Sequence, residues 1–475
     1  MSDRLSFVDA QLIESERTAT PLQMGGVGLF APGLDYATVA QLLERRMDRI
    51  PLARRRIQHA PLGAGRPVWV DDTDFDLSYH LRHAALPAPG DAGQLGQFLS
   101  RLIARPLDRQ RPLWELYVIE GLEGGRVAVF RKIHLAMAGE GTSDPFSVML
   151  DESPEVEAAV GSTVRWEPAS SPGQFNLAFD ATRERVDRVV QAGRGIRRLA
   201  SRVVTDPSTL AAAAAMAAGS AANVMVRMAQ QAPSSPLNVP LTPHRRFTMV
   251  RLELEDLREI RRAVGCSIND IVVALTADAV GRLLRWRGYD TKDLDLRVMV
   301  PLRVHDRESG DDALNLQGAR TAGEGVVGVL APLPVMQMDP VARLYRIMGE
   351  MSQVKEARQA MAAESLVRLA GYAPPNLHAL AARVAWAEQR YNVALSNAPG
   401  PQAPRFLAGV RLEESYPFIP LSGTSALSVA VSSYAGHLFV GLLGERDAMA
   451  DLDLLGEFLP EAVADLVVAT QSTAQ

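Results

Sequence analysis

Two side chains in the run FRKIHLAMAGEG, residues 130–141, could move a proton: the imidazole of His134 and the carboxylate of Glu140. A neutral imidazole accepts a proton near pH 7, and a carboxylate shielded from water can acquire a raised pKa and serve the same role. The chemistry to expect from such groups is general acid–base catalysis. His59, His80, His83, His244, His305, His378 and His437 are scattered, with no close-spaced ligand pair on one helix face, so no metal is expected. The single cysteine, Cys266, excludes an internal disulfide and a cysteine-based metal cluster, and reads as a small buried residue near a helix start rather than a reactive thiol.

The segments around His134 read as α/β structure. Residues 116–120 and 126–135 alternate like strands and are joined by the turn signal Glu123-Gly124-Gly125. Residues 66–72 look like a strand ending, and residues 98–105 like a helix on apolar spacing. Further on, residues 247–254 read as a strand, and Ser267-Ile268-Asn269-Asp270 caps a long helix running to about Arg287. A late hairpin places residues 427–434 and 438–442 on either side of Ala435-Gly436-His437. Pro233-Ser234-Ser235-Pro236 marks a boundary before the second half.

At 475 residues the chain is too long for one ordinary core, and two domains are expected. With 47% hydrophobic and 22% charged residues it reads as globular and soluble. A net charge of −5 carries no concentrated basic face, so no nucleic acid partner is expected. The alanine-rich residues 210–226 are interrupted by Gly219, Ser220 and Asn223, and read as a packed helix rather than a membrane span. Residues 175–204 carry seven arginines against three acids, +4, on an amphipathic pattern. Such a helix either packs its apolar stripe between two domains or lies on an anionic bilayer. The chain does not open with a charged region followed by an apolar core, so a cytoplasmic location is expected, with peripheral contact at the inner membrane face or a lipid-droplet surface.

Several separated segments resemble, in order, the bacterial wax ester synthase/diacylglycerol acyltransferase family. Leu5-Ser6-Phe7-Val8-Asp9-Ala10 resembles its opening, Arg111-Pro112-Leu113-Trp114-Glu115 its PLW element, and Pro236-Leu237-Asn238 with His244-Arg245-Arg246-Phe247 the start of its second domain. Ile268-Asn269-Asp270-Ile271 resembles its ND helix start, Val300-Pro301-Leu302-Arg303 its strand-end arginine, and Ser396-Asn397-Ala398-Pro399-Gly400-Pro401 its SNxPGP loop. The resemblance implies an α/β fold of two chloramphenicol-acetyltransferase-like domains, mixed sheets flanked by helices, with a tunnel between them. The expected layout is an N-terminal domain over 1–168, a helical linker over 169–235 and a C-terminal domain over 236–475. Acyl-CoA is the implied co-substrate, with no bound cofactor, and a diacylglycerol or long-chain alcohol is the implied acceptor.

The resemblance also implies that residues 133–141 correspond to the family's HHxxxDG segment, whose second histidine is the base. Without a gap, His134 matches the first histidine, Leu135 replaces the base, and Gly139 and Glu140 replace the Asp-Gly pair; a one-residue insertion would let Glu140-Gly141 stand for that pair. Slipped by one, His134 is the base, Ala138 replaces the aspartate and Gly139 keeps the glycine. Neighbouring strand side chains face opposite ways, so the two registers exclude each other. Trp114 is expected to anchor the core. Asn269 and Asp270 are expected either to cap a helix or to line the tunnel, Arg303 to hold a carboxylate or a CoA phosphate, and Asn397, Pro399 and Gly400 to shape the loop at the acyl carbonyl. Gly323-Glu324 stands where the family has Gly-Asn, behind an insertion at residues 309–322. Three functions stay open: a neutral-lipid acyltransferase, a non-catalytic lipid- or acyl-CoA-binding homologue, and an acyltransferase with a carrier-protein-bound donor.

Overall fold

The computed structural model describes residues 3–59, 66–138, 144–155, 166–169, 173, 231–303, 326–362 and 390–473. The expected linker, the helices read at residues 175–204 and 210–226, the insertion at 309–322, Gly323-Glu324, and the motif residues Gly139 to Gly141 lie wholly or almost wholly outside them. In the first half the elements are β1 (Asp3–Arg4), α1 (Phe7–Ser15), β2 (Gln23–Phe30), α2 (Tyr36–Arg46), β3 (Arg55–Gln58), β4 (Val68–Asp71), α3 (Leu77–His80), β5 (Leu81–Ala85), α4 (Ala92–Ala104), β6 (Trp114–Glu120) and β7 (Val127–His134). The second half supplies β8 (Arg245–Glu253), α5 (Leu254–Val264), α6 (Ile268–Trp286), β9 (Asp295–Arg303), β10 (Val326–Pro334), α7 (Pro340–Ala362), β11 (Val393–Ala398), β12 (Phe406–Leu407), β13 (Val410–Phe418), β14 (Leu427–Tyr434), β15 (His437–Glu445) and α8 (Leu452–Thr473).

Local chemistry sets these elements. The Ser267 hydroxyl accepts from the Asp270 amide at 3.2 Å while the Asp270 carboxylate accepts from the Ser267 amide at 3.0 Å, so two free donors at the start of α6 are satisfied reciprocally. Ala435 and Gly436 both have positive φ, 46° and 88°, the two-residue turn whose twist matches the flanking strands β14 and β15. The expected helix at residues 98–105 proves longer: Asp91 caps it, accepting from Gln94 N–H at 2.8 Å, and Leu95, Leu99, Leu102 and Ile103 form its buried stripe.

The strands assemble into two six-stranded mixed sheets, in orders β12-β13-β2-β7-β6-β5 and β10-β9-β11-β14-β15-β8, and a small sheet β1-β4-β3. The first large sheet is not built from the first half alone. β13 pairs antiparallel with β2, from Phe418 opposite Gly25 to Leu412 opposite Phe30, and brings β12 to the edge. The crossing strand then lies against the second sheet so closely that a Cβ on Gly441 would sit 1.8 Å from the Pro417 carbonyl oxygen. Phe418 stacks on Phe130 at 5.7 Å and meets Phe247 edge-on at 6.4 Å, so one ring links β7 of the first sheet to β8 of the second. The Ser100 hydroxyl of α4 accepts from the Phe247 amide at 2.9 Å, and Arg245 donates to the Ala19 carbonyl.

A buried polar cluster holds α4 against the sheet beside His134. Lys132 donates to the Leu102 and Arg105 carbonyls at 3.2 and 3.0 Å, and Gln23 Nε2 to those of Ile103 and Arg105 at 2.7 and 2.9 Å, so three carbonyls at the helix end are paired with side chains. Burial pushes the Lys132 ammonium down from its ordinary pKa, and Glu115, 2.9 Å away, opposes that shift. Among the described residues no single helix is long and apolar enough to cross a membrane. Because Phe418 is 1% exposed and joins both sheets, Phe418→Ala is expected to lower stability by about 3–5 kcal/mol, measured by urea denaturation.

Candidate active site

β7 delivers His134 at its last position, paired with Gln23 of β2. The chain then turns through residues 135–137, and the His134 side chain caps that turn, Nδ1 accepting from the Ala136 amide at 3.0 Å. The Leu135 amide donates to the Leu22 carbonyl at 2.9 Å, and the Leu135 carbonyl accepts from Ala138 at 3.1 Å. A ring nitrogen that accepts from an amide carries no proton, so the neutral imidazole holds its hydrogen on Nε2. Nε2 faces Glu16 Oε1 at 3.7 Å, beyond hydrogen-bond length, and has no other partner among the described residues. Glu16 is itself occupied, accepting from Leu22 N–H at 2.9 Å and from Arg109 at 2.6 and 3.0 Å.

His134 is 1% exposed, and burial pushes its pKa down from the usual 6.5 to about 4, with Glu16 opposing and Arg109 assisting. The group is therefore neutral in the fold, with its lone pair spent on its own turn. Leu135 is half-buried and lies outside the hydrophobic core that takes Ala136, Met137 and Ala138. Side chain 134 is thus buried at the end of β7 and side chain 135 is partly open at the start of the turn that follows.

The segment that follows the motif is fastened independently. The Asp144 carboxylate accepts from Phe146 N–H at 2.9 Å and pairs with Arg131 of β7. Phe146 packs on Trp114 at 4.8 Å, and Trp114, 1% exposed, donates from Nε1 to the Ala53 carbonyl at 2.8 Å, which is the anchoring role expected of it. His80 stacks on the same indole at 4.6 Å, with Nδ1 2.8 Å from the Trp114 carbonyl oxygen, and burial lowers its pKa.

The other expected site residues are distributed as follows. Asp270 takes the capping role, whereas Asn269 does not cap: its Oδ1 is buried without a partner among the described residues. Arg303 ends β9 opposite Val326. Asn397 lies on β11 opposite Val431 and is half-buried. Pro399 and Gly400 follow, and the Gly400 amide donates to Ser433 Oγ at 3.2 Å; a Cβ there would meet the Ser433 carbonyl oxygen at 2.2 Å, so only glycine fits against β14. Cys266 is buried, and its thiol is pushed up to about 11. Glu16 and Arg109, which sequence reading missed, stand behind His134 although they lie 93 residues apart.

Comparison with known proteins follows this architecture. The pattern described as the wax ester synthase/diacylglycerol acyltransferase catalytic domain matches residues 5–272, and that of the family's C-terminal domain matches residues 322–466. A protein of Mycobacterium tuberculosis named as a probable diacylglycerol O-acyltransferase is 29% identical over 476 residues, covering 99% of this chain and 96% of the relative. A shorter one from the same organism is 36% identical over 272 residues, covering 56% of this chain and 98% of the relative. The solved wax ester synthase/diacylglycerol acyltransferase of Marinobacter aquaeolei superposes with a TM-score of 0.65 at 24% identity, covering 98% of this chain and all of that one. The first condensation domain of the calcium-dependent antibiotic synthetase superposes at 0.52 and 17% identity over 98% of this chain and 97% of that one. Both superpositions show the chloramphenicol-acetyltransferase-like fold. The chain belongs to the wax ester synthase/diacylglycerol acyltransferase family.

The unfolded chain protonates His134 near pH 6.5 and the folded chain only near 4, so between these values the unfolded state binds more protons. The associated stability is present above about 6.5 and lost as pH falls toward 4. His134→Gln is expected to flatten the fall in unfolding free energy between pH 7 and 4 by on the order of 3 kcal/mol, measured by urea titration at stepped pH.

Proposed function

We propose that this chain is a neutral-lipid acyltransferase homologue that binds acyl-CoA and a diacylglycerol or long-chain alcohol but lacks the histidine base for transfer. The observation that carries this reading is the commitment of His134 Nδ1 to the Ala136 amide at 3.0 Å, beside a leucine at position 135. Acyl transfer forms an ester bond between the alcohol oxygen and the acyl carbon, and breaks the thioester, releasing CoA. A neutral alcohol is a poor nucleophile, and its proton must leave as the carbonyl is attacked. His134 has no free lone pair to receive it, and Leu135 has no proton acceptor at all. The ungapped alignment, with His134 as the first histidine and Leu135 at the base position, agrees with this division. A missing general base slows transfer by about 10²- to 10⁴-fold, roughly 3–5 kcal/mol of barrier.

The donor thioester carries its own activation, so the reading needs no resident cofactor. The acceptor's insolubility places the chain at a bilayer or lipid-droplet surface as a peripheral protein, on the cytoplasmic side. Glu140 as a substitute base is the competing route, and it makes a separate forecast for the same assay. With labelled long-chain acyl-CoA and diacylglycerol, Leu135→His is expected to turn over about 10²- to 10⁴-fold faster than the unmodified chain, which still binds acyl-CoA. Robust turnover by the unmodified chain that His134→Ala or Glu140→Ala abolishes would sink the proposal.

A further inference from the structure

Buried at the C-terminal end of α2, Arg46 makes contacts that the acyl-transfer chemistry does not use. Its Nη2 donates to both carboxylate oxygens of Asp151 at 2.8 Å, and its Nη1 to the carbonyls of Val148 and Met149 at 3.1 Å. The guanidinium side chain is 1% exposed and the Asp151 side chain 14%. One amino group bridging both carboxylate oxygens, with the other held by two carbonyls, makes a charge-assisted pair of fixed position. Asp151 in turn exchanges two backbone hydrogen bonds with Phe406 at the start of β12, at 2.7 and 2.9 Å. Phe406 emerges from the loop that leaves β11 after Ala398. That loop is pinned to the β14–β15 hairpin: the Pro401 carbonyl accepts from Ala435 N–H at 3.3 Å, and Gln402 Nε2 donates to Ser433 Oγ at 3.1 Å. Arg405 N–H donates to the Tyr434 hydroxyl at 2.8 Å.

We infer that Arg46 and Asp151 form a clasp that couples the segment following the motif, residues 144–151, to the loop of residues 399–405 that follows β11 in the second half, making both positioning residues for the acyl-transfer site. The chain enters β12 and β13 through this loop, and Asp151 fixes the loop's far end at Phe406, where β12 begins. Without the clasp, the two loops flanking the junction would open separately. The kinetic arm of the test rests on the proposed function; the exchange arm does not.

Asp151→Asn keeps the shape and backbone pairing of residue 151 but removes the charge that Arg46 grips. Amide hydrogen exchange of the full chain is expected to quicken at least about tenfold in peptides covering residues 144–151 and 402–408 together, while α4 and α6 stay unchanged. Glu152→Ala removes only the 79%-exposed partner of Arg405 and should leave both peptides unaltered. In a Leu135→His background, adding Asp151→Asn is expected to lower kcat about tenfold with KM for acyl-CoA little changed, the pattern of misplacement rather than lost binding. Exchange that quickens in only one of the two peptides, or in neither, overturns the clasp. An inactive Leu135→His variant with coupled exchange would overturn the proposed function and leave the clasp standing.

Discussion

Antiparallel hydrogen bonding between β13 and β2 is the interaction on which the two halves depend. β13 comes from late in the chain and pairs in the first sheet, and its backbone at Pro417 presses on Gly441 of the second sheet. One strand therefore belongs to two cores, and neither half can shift without stretching bonds that lie in both. The Phe130–Phe418–Phe247 ring series fills the same junction with apolar surface. Close approach of backbones explains the glycines at this place better than flexibility does: a Cβ on Gly25 would fall 1.9 Å from the Arg131 carbonyl oxygen.

That rigidity reaches the motif through β7, the neighbour of β2. Lys132, Glu115 and Gln23 tie the end of α4 to the strands immediately before His134. The strand's exit is then determined: His134 ends β7 in the interior, and the turn that begins at Leu135 leaves that side chain partly open. There the His134 imidazole is buried, its pKa pushed down by burial, and its Nδ1 accepts from the Ala136 amide.

What the sequence made legible follows the range of the interaction. The Ser267–Asp270 cap, the Ala435-Gly436 turn and the alternation in β6, β7, β14 and β15 are local patterns, and each element stands within a few residues of its expected place. The start of α4 was not legible from apolar spacing alone, because the signal there is the Asp91 cap and not a hydrophobic residue. The contact of the His134 imidazole with the Ala136 amide at 3.0 Å was not legible in the sequence, because residue types there do not say which way a ring nitrogen faces. The transfer of β12 and β13 to the first sheet, and the grip of Arg46 on Asp151, join residues far apart in the chain and leave no local pattern to read.

The exchange of strands between halves also carries a consequence for the order of synthesis. β2 is made early, yet its partner β13 emerges only after nearly four hundred further residues have been added. Until then β2 presents an unpaired, glycine-rich edge, the kind of surface that invites pairing with other chains. A nascent first half must therefore wait with an open flank, and its protection during translation becomes a requirement set by topology rather than by stability.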